Sequence, residues 1–349
     1  MHKVSTAMTL VIAIICAPLA QADGTRDFIS IVGSSTVFPF AATVAERFQR
    51  AHPQFKTPIV ESNGTGGGFK LFCGGVGSQY PDIANASRRM KATELESCAK
   101  NSVKDVAEIK FGYDGITIAT RKGAPNYALT RKELYLAVAK QVPDPNDSGT
   151  LIANPYRNWS DINPKLPKQP IQVYGPAPNH GTRDAFSELV MEAGCTQYAW
   201  LKALKDVDEG RYKRVCTQVR EDGLWTDVSE DYAMIVGKLT TNVHALAVFT
   251  FSYLDQNRDK LVAAEIDGKV PSFASIGDGS YTISRPLYFY VKKAHLNMAT
   301  GLRDYIGEFV SEKAMGADGY LVDKGLIPLK PTEARNARKD ATDLRNVRL

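Results

Sequence analysis

Signatures of metal binding and of covalent catalysis are the first things this 349-residue chain lacks. Its five cysteines and five histidines include no CxxC pair and no HxxxH spacing, which argues against a zinc site built from neighbouring ligands. A GxSxG elbow is missing, because Val37 stands where "GSSTV" would need its second glycine. "GTGGGF" ends in Phe69 where a dinucleotide fingerprint needs glycine, and neither GxxxxGKS nor GxxxxGKT occurs. A phosphatase would need a nucleophile or a metal cluster, and the sequence displays neither. Charge of one sign is not concentrated either. Lys and Arg number 43 against 38 Asp and Glu, a net charge of +5, and no compact basic patch interleaves with aromatics. A nucleic-acid partner is therefore not expected. No internal repeat or low-complexity tract is present, and the apolar run Leu10 to Ala20 is too short to span a bilayer.

That short run has a different reading. Met1-His2-Lys3 is a basic start, and "AQA" at 20–22 fits a small-x-small cleavage site, so residues 1–22 read as a cleavable signal peptide. Ile15 is bulkier than the small residue wanted before a lipid-modified cysteine, so Cys16 is not expected to anchor the chain. Removing the segment leaves Cys73, Cys98, Cys195 and Cys216, an even number in an exported chain. Three connectivities are possible on paper. The two sequence-local pairs, Cys73 with Cys98 and Cys195 with Cys216, are the favoured ones, each worth roughly 3 kcal/mol by the chain-entropy model. The remaining ~330 residues suffice for two lobes.

Strand and helix patterns alternate along those residues, which places the chain in the α/β class. "FISIV" (28–32), "TPIVE" (57–61), "DIANA" (82–86), the runs around 106–120 and "IQVY" (171–174) read as strands. Pro39 opens a helix with Phe40, Val44, Ala45 and Phe48 on one face, ending near His52-Pro53. Thr93 with Glu96 and Thr130 with Glu133 read as capping boxes of helices reaching about Asn101 and Lys140. A further helix starts at Gly181-Thr182, buries Ala185, Phe186, Leu189 and Val190, and has Gly194 as its C-cap. The segments 142–150 and 163–170 read as surface loops, and the polar, basic C-terminal stretch as a solvated or frayed helix.

Three strand-to-helix junctions carry small hydroxyl and glycine residues: "IVGSSTVFPF" (31–40), "ESNGTGGGF" (61–69) and "GPAPNHGTRDAF" (175–186). Glycine lets backbone approach a ligand, Ser and Thr supply O–H donors, and a helix start offers unpaired N–H groups of partial positive charge. Together they suggest a cage for a small oxyanion. Thr36 and Thr182 also suit N-caps, a role compatible with anion binding at the same N–H groups. "SRPLYFYV", with Tyr281, Tyr288 and Tyr290, reads as an aromatic-packed strand, leaving Ser284 and Arg285 as outside candidates for the cleft.

In order along the chain, "GSSTVFPF", "SNGTGGGF", "DIANASR", "HGTRDAF", "DGSYTISRPLYFYV" and "GYLVDKGLIPL" resemble the phosphate-binding proteins that serve phosphate ABC transporters. The resemblance implies a soluble periplasmic binding protein of type II, α/β and two-lobed, with two crossing hinge strands near 111–120 and 283–291. Lobe 1 would join 23–111 to 283–349, and lobe 2 would hold 112–282. The implied partners are inorganic phosphate and an inner-membrane ABC permease, with no cofactor, no catalysis and a monomeric state.

The implied ligand set is Ser35 and Thr36 with the Val37 or Phe38 N–H, Thr65 with Gly66, and Ser87. Gly181 and Thr182 complete it, with His180 in the place of a family serine. Two departures matter. Arg88 stands where some members have an Asp that accepts the phosphate proton, and Pro176 where they have an Arg. Arg88 and Arg183 are then the guanidinium candidates, and Asp114 the preferred replacement proton acceptor ahead of Asp184. The missing Asp leaves sulfate or arsenate as alternative ligands, and phosphate sensing or scavenging as an alternative role.

Overall fold

The computed structural model describes residues 25–178, 181–228 and 232–348. The expected signal peptide and His180 lie outside them. The main sheet is carried by β1 (Ser30–Gly33), β2 (Ile59–Ser62), β3 (Ile83–Ala86), β4 (Val106–Arg121), β5 (Val173–Pro176), β6 (Trp225–Val228), β7 (Leu246–Thr250) and β8 (Ser284–Lys292). Their order is β2-β1-β3-β8-β4-β7-β5-β6, with Leu261–Ala263 also pairing with β4.

The two apolar runs around 106–120 form one strand, β4, of 16 residues. Its burial is nearly continuous rather than alternating, as expected where both faces of a strand are covered. Up to Gly115 it pairs antiparallel with β8, placing Arg285 opposite Asp114. From Ile116 onward its partner is β7. On one side β1 lies parallel to β2 and β3, and on the other β5 lies parallel to β6 and β7. Two parallel sets thus flank an antiparallel pair, β4 and β8, that runs between them.

Helix α1 (Phe38–Ala51) has Pro39 in its first turn and buries the expected Phe40, Val44, Ala45 and Phe48, with Ala41 added; His52 ends it. Phe48 packs edge-on against Tyr305, and burying such a side chain contributes about 1.5–3 kcal/mol. Helix α2 (Gly64–Phe72) follows β2. Helix α3 (Ala92–Lys100) starts earlier than its expected Thr93–Glu96 box, because Glu94 accepts the Lys91 N–H at 2.8 Å while Arg88 grips the same carboxylate. Helix α4 (Arg131–Val138) has its predicted box: Thr130 accepts from the Glu133 N–H, and Glu133 accepts from the Thr130 N–H.

Both sequence-local disulfides are formed, Cys73–Cys98 and Cys195–Cys216. The first ties the end of α2 to α3, and the second ties Cys195 to the helix Glu209–Thr217.

Other local expectations need correction. Helix α5 (Gly181–Phe186) runs into a π turn over Ser187–Glu192 before Ala193–Cys195 closes it. The wider turn leaves Leu189 half-buried and buries Met191 beside Val190. Gly194 is not a C-cap. A Cβ there would lie 2.3 Å from the Arg131 carbonyl oxygen, so glycine is what lets this helix touch α4. Gly194→Ala should cost about 1–3 kcal/mol of stability, read as a lower urea unfolding midpoint. The 142–150 stretch is a hairpin, Gln141–Asp144 against Asp147–Ala153.

The C-terminal helix, α6 (Pro331–Asp343), is docked rather than frayed. It buries Ala334, Ala337 and Ala341, and its Glu333 accepts from Lys110 and from the Tyr113 hydroxyl of β4. No helix among the described residues is long and apolar enough to cross a membrane.

Candidate functional site

The predicted loops converge because each leaves the carboxyl end of a parallel strand, where open α/β sheets place their ligands. Gly33 ends β1 at φ +132°, and a Cβ on it would sit 2.2 Å from the Asn85 carbonyl oxygen of β3. A Cβ on Gly68 of α2 would sit 2.4 Å from the Gly33 Cα. Only glycine permits these approaches, which bring the ends of β1 and β3 and the start of α2 together.

The Ser34–Phe38 turn follows, with Ser34 donating its N–H to the Asn85 carbonyl. Val37 and Phe38, the candidate backbone donors, direct their N–H groups to the Ser34 carbonyl at 3.2 and 3.0 Å. The Phe38 ring lines a cavity, while Val37 belongs to the core. Ser35 and Thr36 line the same cavity, of about 880 Å³, together with Ser62, Asp114, Thr182 and Asp184. Thr65 and Ser87 are not among the lining residues and form a pair of their own. The Thr65 hydroxyl lies 3.1 Å from that of Ser87 and accepts the Ser87 N–H at 3.2 Å. A side chain on Gly66 would meet open space, so packing does not demand glycine there.

The opposite wall is built from the second parallel set. Thr182 is buried near the start of α5, which Gly181 opens, and its hydroxyl lies 3.0 Å from that of Tyr232. Burial raises the Tyr232 hydroxyl above its ordinary pKa, so it is kept as a donor. Thr250, at the end of β7, caps the helix Phe251–Gln256 and lines the cavity with Ser252 and Tyr253.

Between the walls stands Arg285. Its side chain is 9 % exposed, and β8 holds it across from Asp114. The guanidinium donates through Nη2 to the Thr36 hydroxyl at 2.6 Å, through Nε to Asp114 at 3.4 Å, and through Nη1 to Glu188 of the π turn. Burial pushes the Asp114 carboxyl above its usual pKa, and Arg285 offsets only part of that. A cation, a carboxyl able to take a proton, and hydroxyls on both sides are the groups that recognise a protonated tetrahedral oxyanion.

The other two guanidinium candidates point elsewhere. Arg88 makes a two-pronged contact with Glu94, at 2.9 and 2.7 Å, over the Phe69 ring. Arg183 donates to Asp227 and to the Pro176 carbonyl and lies over Trp225. None of the three arginines is itself among the lining residues, but Arg285 alone bonds two that are, Thr36 and Asp114. Sequence reasoning ranked Arg285 behind both, and did not single out Ser62, Glu188, Tyr232, Thr250 or Ser252. One available signal was a lone arginine entering the apolar run "RPLYFYV", since a buried arginine needs partners.

Known proteins carry the same architecture. Residues 18–313 match the PBP superfamily domain. Protein SphX of Synechocystis sp. is 30% identical over 322 residues, covering 90% of this chain and 82% of that protein. Phosphate-binding protein PstS of Staphylococcus saprophyticus is 29% identical over 321 residues, covering 89% and 83%. The crystal structure of a possible phosphate binding protein from Planctomyces limnophilus superposes with a TM-score of 0.70 at 26% identity, covering 92% of this chain and 99% of that one. The match along most of the chain, on a fold of two parallel sets joined by crossing strands, means that this chain belongs to the PBP superfamily.

Proposed function

We propose that this protein is the periplasmic receptor of a phosphate ABC importer. It binds inorganic phosphate between two lobes and delivers it, in the closed form, to an inner-membrane permease. The observation that carries the reading is Arg285, a buried guanidinium between two hydroxyl-lined walls, joined to Thr36 and Asp114. The names of its relatives, phosphate-binding protein PstS among them, support the ligand. Its work is capture and closure; it makes and breaks no covalent bond.

The lobes are 23–111 with 283–349, and 112–282. The change of partner along β4, from β8 to β7 at Gly115–Ile116, supports a hinge there. Ser35, Thr36, Thr65 and Ser87 contact the anion from lobe 1, and Thr182, Thr250 and the Gly181 backbone from lobe 2. A ligand bound by both sets favours the closed form, because only that form supplies all the contacts. Burying a dianion forfeits its hydration, a loss that many charge-assisted hydrogen bonds offset. Asp114 supplies selectivity: it accepts the proton that phosphate carries and repels sulfate, which has none to give.

Calorimetric titration of ligand-stripped protein, with phosphate and then sulfate at mildly acidic and mildly alkaline pH, tests the reading. Saturable phosphate binding without sulfate binding is expected. Equal binding of both would make the site a general oxyanion receptor, and binding of neither would remove the transport role.

A further inference from the structure

Glu188 is the one member of the Arg285 cluster that phosphate recognition does not require. Thr36 and Asp114 are both buried, whereas the Glu188 side chain is 48 % exposed. It reaches the guanidinium from the π turn Ser187–Glu192, which widens the helix beside the cavity. Such turns concentrate at functional positions because they re-aim a side chain at some cost in helix geometry. The consequence is that all three guanidinium nitrogens already meet a protein oxygen: Nε at Asp114, Nη1 at Glu188 and Nη2 at Thr36.

A carboxylate is itself an oxyanion, with the charge sign and acceptor geometry that a guanidinium selects in phosphate. We infer that Glu188 is an internal competitor for the phosphate site. It holds Nη1 of Arg285 while the cleft is empty, and the incoming anion displaces it. Asp114 cannot leave in the same way, because it is buried between crossing strands. Glu188, half in solvent already, regains water when it swings out. The fraction of receptor whose guanidinium is free then scales the apparent affinity down. Glu188 thereby lowers retention of phosphate and eases its release at the permease, without touching the contacts that discriminate phosphate from sulfate.

This inference rests on the phosphate-receptor reading, and the experiment separates the two. Wild-type protein, Glu188→Gln and Glu188→Ala are each stripped of ligand and titrated with inorganic phosphate in the calorimeter, with unfolding curves recorded for the same samples. Both variants should bind phosphate roughly tenfold more tightly than wild type, the scale of one hydrogen bond to a charged group. Both should also show a larger rise in unfolding temperature on adding phosphate. A residue that only supports the fold gives the opposite result, because its loss loosens the site and weakens binding. Unchanged or weaker binding in either folded variant, with wild type binding phosphate, overturns the competitor role alone. Wild type that fails to bind phosphate overturns the receptor reading and this inference with it.

Discussion

Arg285→Met removes phosphate binding from the calorimetric range, with a loss of at least a hundredfold, while Arg88→Met and Arg183→Met retain most of the affinity. The magnitude follows from what the guanidinium does. A hydrogen bond to a charged group is worth about 1.5–3 kcal/mol, and a planar fork offers more than one to an oxyanion. Its removal also leaves the buried Asp114 without its cation beside an incoming dianion, a repulsion that adds to the loss. Arg285→Lys should fall between, since an ammonium keeps the charge and loses the fork. The contrast with the other two arginines is as informative as the loss. Glu94 holds Arg88 and Asp227 holds Arg183, so their substitution mainly disturbs those partly buried ion pairs. Full affinity in Arg285→Met, or a large loss in Arg88→Met, would move the anion site toward α2 and α3.

Asp114→Asn changes which anion enters. On the proposed reading, the wild-type carboxylate accepts the proton of hydrogen phosphate and repels sulfate at the same place. Asparagine keeps an acceptor oxygen and removes the charge, so sulfate should bind, and the phosphate-to-sulfate preference should fall by about two orders of magnitude, the order of one ionic hydrogen bond lost on one side and a repulsion relieved on the other. Competition titrations with both anions check this. Continued exclusion of sulfate by the variant would take selectivity away from Asp114.

The same substitution has a stability signature in the ligand-free protein. Burial holds the Asp114 carboxyl above its ordinary 3.8, so across that window the folded state binds more protons than the unfolded one. Its contribution to stability therefore falls as pH rises from about 4 through the raised pKa, and stays low at neutral pH. Asparagine has no such titration. The ligand-free variant should lose less stability than wild type between acid and neutral pH, while losing selectivity. Stability given up at the binding site would thus be recovered by damaging its function. Thermal unfolding at several pH values, with phosphate removed, measures it.

The features legible in the sequence were those written within a few residues. Pro39 and the apolar spacing from Phe40 to Phe48 place α1, and the Thr130–Glu133 pair places the start of α4. The glycine-rich junctions belong to the same class. Where local signals misled, a contact from elsewhere had intervened. Arg88 holds Glu94 and so helps set the start of α3, the packing of Gly194 on α4 gives that glycine its reason, and β4 docks α6 through Lys110 and Tyr113.

The sequence by itself determined the α/β class, the order of the elements and the hydroxyl-bearing loops, because turns, caps and periodicity act over one or two turns of chain, while it only favoured the disulfide pairing that the structure shows. Only the tertiary structure decided which arginine joins the cavity-lining Thr36 and Asp114. Arg88 finds its carboxylate 6 residues away and Arg183 finds one 44 residues away, whereas Arg285 meets Asp114 across 171 residues and Thr36 across 249. The Arg285–Asp114 pairing arises from strand register, and register is a property of the assembled sheet.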